Sequence, residues 1–265
     1  VNELYMLANA KALMEELNAK VNYYTKEMYN ITNDEFFRVL SETDSKYAWG
    51  SKFKKVILEN MKDDYSYSLP IWKPEIDIVE FKDCFYNMSN GLKIEKDEKK
   101  NGSICAVRSY PFNFEDIKDK KPEVFISMVE SAGLDLEFFR CSYGRQYMKK
   151  TKRSNALLLN GKPHSGKSSM IIPFQNTFKH VIKELIADGN YSYSSISSTP
   201  KIYSQECHLF SSKYGGLDNV KKLLEGEQFT APVKNKEPVI VIPKTAMLCS
   251  NHYVPEDDEM CFNMR

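Results

Sequence analysis

Apolar residues in the first third of the chain recur every three or four positions, which is the spacing of one helix face. Within residues 2–20 they stand at Leu4, Leu7, Ala10, Met14 and Leu17. This spacing predicts a first helix. A second helix is predicted to begin at Asn33, whose side chain can cap the turn that follows, and a third covers residues 51–62.

The pattern changes after residue 75, where short apolar runs typical of strands replace the helical spacing. Three such runs are Ile76–Phe81, Cys84–Met88 and Ile104–Ser109. Asn90-Gly91 marks a turn between them, and the charged run at 95–100 is most simply a solvated loop. We therefore predict one region over residues 1–115, mainly helical with short strands.

Two further helices are predicted at 122–132 and 134–149, followed by a basic cluster at 149–153. They separate the first region from a strongly apolar segment. We predict linker helices over residues 116–153 and a second domain over residues 154–265.

The second domain opens with a glycine-rich motif. Residues 156–159, an alanine and three leucines, are typical of a buried parallel strand. They lead into Gly161–Ser168, which matches the phosphate-binding pattern G-x-x-x-x-G-K-S/T. A helix is predicted from Ser168 to about Asp188. Strand, glycine loop and helix in this order are the context that the motif requires, and the alternative is a chance match in a glycine turn.

The residue types in this loop suit a nucleoside triphosphate. Gly161 and Gly166 permit a backbone that turns its N–H groups inward, and the helix N-terminus adds a dipole that favours phosphate. Lys167 can reach the β- and γ-phosphates, and the Ser168 hydroxyl can bind Mg²⁺. The predicted cofactors are therefore ATP and Mg²⁺. The candidate nucleotide-binding residues are Gly161, Lys162, Pro163, His164, Ser165, Gly166, Lys167, Ser168 and Ser169.

Two downstream strands end in residues suited to hydrolysis. Residues 200–206 predict a strand ending at Glu206, an acid that can hold Mg²⁺ or polarise the attacking water. Residues 246–249 predict another strand, and Asn251 just beyond it can hydrogen-bond the γ-phosphate or the water. The alternatives are that Glu206 is an ordinary surface residue and that Asn251 only ends a strand.

Between these strands lies a basic turn. A helix is predicted over 217–225 and ends at Gly226. Residues 228–239 then predict two short extended arms, joined by the turn Lys234-Asn235-Lys236.

The order of these motifs closely resembles the superfamily 3 helicases of small DNA viruses, such as the papillomavirus replicative helicase and the parvovirus replication protein. The resemblance covers residues 155–265. It implies an α/β fold of the AAA+ type, with a central, mostly parallel sheet flanked by helices. It also implies a homo-oligomeric ring, a hexamer, that hydrolyses ATP and moves along single-stranded DNA during viral genome replication.

Carried over by position, the resemblance gives roles to individual residues. The catalytic set is Lys167, Glu206, Asn251 and Arg265. Ser168 and Glu206 would hold Mg²⁺, and Lys234, Asn235 and Lys236 would contact DNA. The arginine would reach the nucleotide of a neighbouring subunit, and its alternative is an ordinary surface arginine.

One residue departs from the pattern, since the family shows two adjacent acids where this chain has Gln205-Glu206. With a native glutamine, Mg²⁺ would depend more on Ser168 and Glu206, whereas an engineered one would impair hydrolysis. Residues 80–91 and 108–112 are similar to the segment before the motor in poxvirus-type primase-helicases. This likeness favours a helical oligomerisation collar over residues 1–115.

Composition narrows these functions only slightly. Of 265 residues, 42% are hydrophobic and 28% charged, and the net charge of +1 confines any nucleic-acid contact to local basic patches. Six scattered cysteines without a C-x-x-C pair argue against disulfides and a zinc site, and favour an intracellular protein. No apolar run is long enough for a bilayer. The expected protein is soluble, acts in the host nucleus and is a fragment of a longer chain.

Three other functions compete with the helicase. A small-molecule kinase would need an arginine-rich lid, and no arginine stands between Lys167 and Arg265. A viral DNA-packaging motor, or another P-loop ATPase without unwinding activity, is the main alternative. Gln205 also allows a nucleotide-bound scaffold. Origin nicking would require a His-x-His pair, which the four histidines do not form.

Overall fold

The structure is a computed structural model that describes residues 3–25, 27–43, 55–59, 69–96, 104–148, 156–186, 192–206, 219, 222–223, 227–242 and 245–251. The chain divides into two compact units, Val1–Lys73 and Pro74–Arg265. This division lies inside the region predicted over residues 1–115, so the strands after residue 74 belong to the same unit as the glycine-rich loop. The collar function expected of residues 1–115 stays a prediction.

The first unit combines helices with a small sheet. Its elements are helix α1 (Glu3–Glu16), strands β1 (Lys20–Asn22) and β2 (Met28–Tyr29), helix α2 (Asn33–Thr43) and strand β3 (Ile71–Trp72). Residues 55–59 are also helical. The strands lie in the order β2-β1-β3. A core that includes Met14, Phe36 and Ile57, each fully buried, joins the helices, as the apolar spacing predicted.

The cap of α2 differs from the prediction. The helix begins at Asn33, but the hydroxyl of Thr32 accepts the hydrogen bond from the Glu35 main-chain N–H, at 3.2 Å. Thr32 is thus the capping residue, because its side chain lies one residue before the first helical turn. Asn33 Oδ1 is buried without a hydrogen-bond partner.

The second unit begins with a four-stranded sheet. Its strands are β4 (Glu75–Glu80), β5 (Cys84–Asn87), β6 (Leu92–Glu95) and β7 (Ala106–Ser109), in the order β6-β5-β4-β7. The three predicted runs became β4, β5 and β7. The strand β6 was not predicted, because its residues lead directly into the charged run and show too little apolar alternation to indicate a short edge strand.

Two helices then lead to the glycine-rich loop. They are α3 (Glu123–Ser131) and α4 (Leu136–Arg145), and the Asp135 side chain caps α4 by accepting from the Phe138 N–H at 2.6 Å. The predicted helix 134–149 therefore ends four residues early. Within the residues that the structure describes, no helix is long and apolar enough to cross a membrane.

A parallel sheet forms the centre of the second unit. Its strands are β8 (Ala156–Asn160), β9 (Ile182–Glu184), β10 (Lys201–Ser204) and β13 (Thr245–Ser250), in the order β8-β13-β10-β9. All neighbouring strands of this sheet are parallel. The chain is therefore of mixed α/β class with a parallel sheet, as predicted. All six residues of β13 are buried, because this strand has a partner on each edge.

The helix after the glycine-rich loop is shorter than predicted. Helix α5 covers Lys167–Phe178, and the chain then turns into β9 instead of continuing to Asp188. Val181 and Ile182 are buried, and Ile182 pairs with Lys201 of β10. Pairing with a strand that lies later in the chain overrides the helical spacing at these residues.

A hairpin packs beside the parallel sheet. Strands β11 (Phe229–Val233) and β12 (Lys236–Val241) pair antiparallel. They correspond to the two extended arms predicted on either side of the basic turn. Phe229, Ala231 and Val241 join the buried core beneath the parallel sheet. The described residues of the predicted helix 217–225, namely 219, 222 and 223, are helical.

Lys201, at the start of β10, is a buried lysine whose ammonium is enclosed by acceptors. Its Nζ donates to the main-chain oxygens of Gln146 and Met148, each at 2.7 Å, and to Thr245 Oγ1 at 3.3 Å. The ring of Phe178 lies 4.7 Å away. Burial lowers the pKa of Lys201 to about 7. Lys201 thus ties the residues after α4 to the parallel sheet.

Replacing Lys201 with methionine is expected to lower the free energy of unfolding by about 2 kcal/mol, since the buried carbonyl of Gln146 loses its donor at roughly 1–3 kcal/mol and the partly buried carbonyl of Met148 loses its donor as well. The pKa of Lys201 is lowered by folding, so between pH 7 and about 10.5 the unfolded chain binds more protons. The stability of the parent protein therefore contains a contribution that rises with pH in this window, and the variant loses it. Urea unfolding at pH 7 and pH 9.5 measures both effects.

The matched control for Lys201→Met is Lys179→Met, because Lys179 is exposed. It should change neither the stability nor its pH dependence. A Lys201→Met variant as stable as the parent, with the same rise with pH, would contradict an enclosed ammonium.

Candidate functional site

The glycine-rich loop joins the end of β8 to the start of α5. The main-chain N–H of Gly161 donates to Ser250 O at 3.2 Å, which fixes the beginning of the loop to the end of β13. Gly166 has a φ of +85° and His164 a φ of +61°, both in the left-handed region. A side chain at Gly166 would be strained at this φ, so glycine is favoured there. This backbone forms a concave turn directly before a helix N-terminus, a geometry that favours anions.

Lys167 spans the loop. Its Nζ donates to the main-chain oxygens of Gly161 and Lys162, at 2.8 and 2.6 Å, and to Ser165 Oγ at 3.2 Å. These bonds hold the positive charge at the centre of the turn. A phosphate group entering the turn would meet that charge and the N–H groups at the start of α5 together.

Helix α5 is held in place from α4 by the hydroxyl group of Tyr143, and one further hydroxyl bond lies on each side of this contact. Tyr143 OH donates to Met170 O at 2.8 Å, and Tyr147 OH donates to Tyr143 OH at 3.3 Å. Thr177 Oγ1 donates to the carbonyl of Pro173 at 2.9 Å. Burial raises the pKa of both tyrosines, so each keeps its proton and remains a donor. The helix that presents Lys167 is thereby fixed near its internal proline.

A cleft of about 660 Å³ brings together three of the four predicted catalytic residues, Lys167, Glu206 and Asn251. It is lined by loop residues 163–169 and by Gln205, Glu206 and Asn251. The strand order explains this meeting. Because β13 lies between β8 and β10, the residues that follow these three parallel strands emerge side by side at one edge of the sheet. The resemblance had assigned the loop, Glu206 and Asn251 to one site, whereas Gln205 had been noted only as a departure from the pattern.

The side chains at this edge differ in exposure. Glu206 and Asn251 are exposed towards the cleft, whereas Ser250 and Cys249 are buried in β13. Burial raises the pKa of Cys249 to about 11, so its thiol stays protonated at neutral pH and is a poor nucleophile. The groups available for chemistry are therefore the carboxylate of Glu206 and the amides of Gln205 and Asn251.

The candidate magnesium ligands fit a hard cation in their chemistry. Ser168 and Glu206 both line the cleft and offer a hydroxyl and a carboxylate oxygen. Among the described residues, no cluster of three or more His, Cys, Asp or Glu residues forms a metal site. Mg²⁺ in such a site would take its remaining ligands from phosphate oxygens and water.

The predicted DNA-contacting residues lie apart from the cleft. Lys234 and Asn235 form the two-residue turn between β11 and β12, and Lys236 begins β12. All three are exposed, as is Glu237 beside them. Asn235 adopts a φ of +58°, which its short polar side chain tolerates. The last predicted catalytic residue, Arg265, lies outside the described residues.

One feature near the loop was missed by the sequence analysis. Helix α3 lines a groove of about 1120 Å³ with the ends of β8 and the loop. The spacing of apolar residues predicted the helix but not its position, because an exposed apolar residue such as Val124 resembles a core residue in sequence. The sequence carried no signal for this position, since α4 lies between α3 and the strand that leads into the loop.

No family model and no curated protein matches the chain. Among solved structures, the chain is similar to the A form apo structure of the NrS-1 C-terminal region, with 13% identity and a TM-score of 0.45 over 93% of this chain and 56% of that chain. Another apo structure of the same region also gives 13% identity and a TM-score of 0.45, over 94% of this chain and 60% of that chain. The chain thus spans a little over half the length of these neighbours.

Proposed function

We propose that this chain is the ATP-hydrolysing motor of a viral replicative helicase of the superfamily 3 type. The observation that carries the proposal is the cleft that joins the glycine-rich loop to Glu206 and Asn251. Three parallel strands deliver phosphate-binding groups, an acid and an amide to one edge of the sheet. This is the set of groups that transfer of a phosphoryl group to water requires.

Each residue has a distinct role in the proposed reaction. Lys167 binds the β- and γ-phosphates. Its ammonium then exchanges its hydrogen bonds to the loop carbonyls for hydrogen bonds to charged phosphate oxygens. The carboxylate of Glu206 orients the attacking water and accepts its proton, and the amide of Asn251 hydrogen-bonds the γ-phosphate. Mg²⁺ held by Ser168, with Glu206 reaching it through a water molecule, would neutralise charge on the phosphates. Gln205 can hydrogen-bond but cannot accept a proton at neutral pH, so the proposal assigns the basic role to Glu206.

The basic turn is proposed to contact single-stranded DNA inside a ring of subunits, a hexamer by the resemblance. Lys234 and Lys236 stand exposed at the end of a hairpin whose other face is buried, which presents their charges outward. Exposed lysines bind phosphates without sequence preference and in a salt-dependent way. Arg265 is proposed to complete the nucleotide site of a neighbouring subunit.

Replacing Lys234 with alanine tests this proposal. We expect weaker single-stranded DNA binding and a salt dependence reduced by about 0.7 in slope per chain, the contribution of one phosphate contact. Nucleotide binding should be unchanged, because the turn is not part of the cleft. Fluorescence anisotropy with an oligonucleotide at several salt concentrations measures the slope, and phosphate release measures DNA-stimulated hydrolysis.

Lys222→Ala is the matched control, because Lys222 is exposed and lies outside both the hairpin and the cleft. It should leave DNA binding unchanged. If unwinding and DNA-stimulated hydrolysis both survive Lys234→Ala, the hairpin does not contact DNA. Hydrolysis and movement on DNA without strand separation would favour a packaging motor instead.

A further inference from the structure

The groove beside α3 shares the loop residues 164–167 with the catalytic cleft, but its other walls are different. The catalytic cleft is closed by Gln205, Glu206 and Asn251, which are polar. The α3 groove is walled by Val124 and Met128 of α3, by Leu134 after it, and by Leu158 of β8. One loop therefore separates a polar cleft from a largely apolar groove.

Apolar side chains in this groove are unusually open to solvent. Val124 is 79% exposed and Leu134 is 40% exposed. Exposed apolar side chains beside a binding loop gain free energy when a ligand covers them. The groove is also continuous with the loop, since Met128 Cε lies 3.8 Å from the position that a Cβ at Gly166 would take.

A nucleoside triphosphate has two ends that match these two environments. Its phosphates are charged, whereas the faces of its base are flat and largely apolar. With the phosphates on the loop and the γ-phosphate beside Glu206, the base must leave the loop away from the polar cleft. We propose that the α3 groove holds the base of the nucleotide, and that it favours purines over pyrimidines without selecting between adenine and guanine. This inference rests on the nucleotide binding in the proposed function.

Besides Glu123 and Asn160, the groove carries two hydroxyl groups on α3 that suit either purine. Ser127 and Ser131 stand four residues apart on α3, and both line the groove. A hydroxyl can donate or accept a hydrogen bond, so it suits the amino group of adenine and the carbonyl of guanine equally. The two rings of a purine cover more apolar surface than the single ring of a pyrimidine, so we expect roughly fivefold tighter binding of ATP and GTP than of UTP.

Two variants separate base binding from phosphate binding. Val124→Asn and Leu134→Asn change exposed side chains, so neither should disturb folding. Each is expected to weaken ATP binding roughly fivefold, because an amide packs poorly against the face of a base. Binding of inorganic tripolyphosphate, which has no base, should be unchanged. Calorimetric titration of both ligands with Mg²⁺ gives the two affinities.

Phe138→Asn is the matched control, because Phe138 of α4 is 66% exposed and does not line the groove. It should bind both ligands like the parent. Photolabelling with 8-azido-ATP gives an independent location, and the label is expected on residues 123–134.

The outcomes distinguish this inference from the proposed function. If the parent binds both ligands but the two variants bind ATP as tightly as the parent does, the base lies elsewhere and the proposed function stands. Label outside residues 123–134 would lead to the same conclusion. If the parent binds neither ATP nor tripolyphosphate, the proposed function fails and the base site fails with it.

Discussion

Replacing Glu206 with glutamine is expected to slow ATP hydrolysis about 10²–10⁴-fold, the usual contribution of a general base, while nucleotide binding is retained. Glutamine has nearly the shape of glutamate but cannot accept the proton of the attacking water. Glu206 is exposed at the cleft, so the exchange should leave the folded structure intact. Phosphate release under saturating ATP measures the rate, and titration with a fluorescent ATP analogue measures the affinity.

Gln205 provides the matched control, because it is the adjacent residue in the same cleft. Gln205→Ala is expected to change the rate only slightly, since the amide is assigned no proton transfer. Should Gln205→Ala stop hydrolysis while Glu206→Gln does not, the roles of the two neighbours are reversed. If neither variant changes the rate, the acid lies elsewhere in the chain or in a neighbouring subunit.

Replacing Lys167 with alanine is expected to reduce hydrolysis about 10²–10³-fold, as is typical when one charge-stabilising donor is lost from a reaction site. Unlike the Glu206 variant, it should also weaken nucleotide binding, because the proposed role of Lys167 is to contact the phosphates before and during the reaction. The same titration and rate measurements therefore give different patterns for the two variants.

Lys167 also organises the loop through the carbonyls of Gly161 and Lys162. Lys167→Arg keeps the positive charge but replaces the compact ammonium with a larger guanidinium. If this variant hydrolyses ATP faster than Lys167→Ala, the charge itself contributes to the rate in addition to the shape of the loop. Lys162→Ala is the control, since its side chain is exposed and only its main chain bonds to Lys167. Full activity in Lys167→Ala would exclude the loop as the hydrolytic site.

The resemblance placed Glu206 and Asn251 at the loop, and in the structure both residues line the same cleft as the loop. The strand order β8-β13-β10 itself was not predictable from the sequence, since pairing between distant strands leaves no local pattern. The loop glycine at 166 was predictable in detail, because the left-handed backbone that it adopts is a local property.

The sequence analysis failed where distant partners decide the structure. Residues 181–184 carry helical spacing, yet they form β9 because β10 supplies the hydrogen bonds. The sequence gives no reason to expect Lys201, at the start of a strand, to be buried. In the structure its ammonium donates hydrogen bonds to acceptors more than forty positions away in the chain. The strands β2 and β3 have two residues each, too few for any alternation to show.

The basic turn and Asn251 lie at the two ends of one short stretch of chain. β12 leads from the turn to Val241, and β13 runs from Thr245 to Ser250, directly before Asn251. At about 3.3 Å per residue, β13 is about 20 Å long. It is hydrogen-bonded to β8 on one edge and to β10 on the other. A shift of Asn251 on loss of the γ-phosphate would therefore pass lengthwise to the base of the hairpin. In the proposed motor, movement of the hairpin would thereby be coupled to the state of the nucleotide.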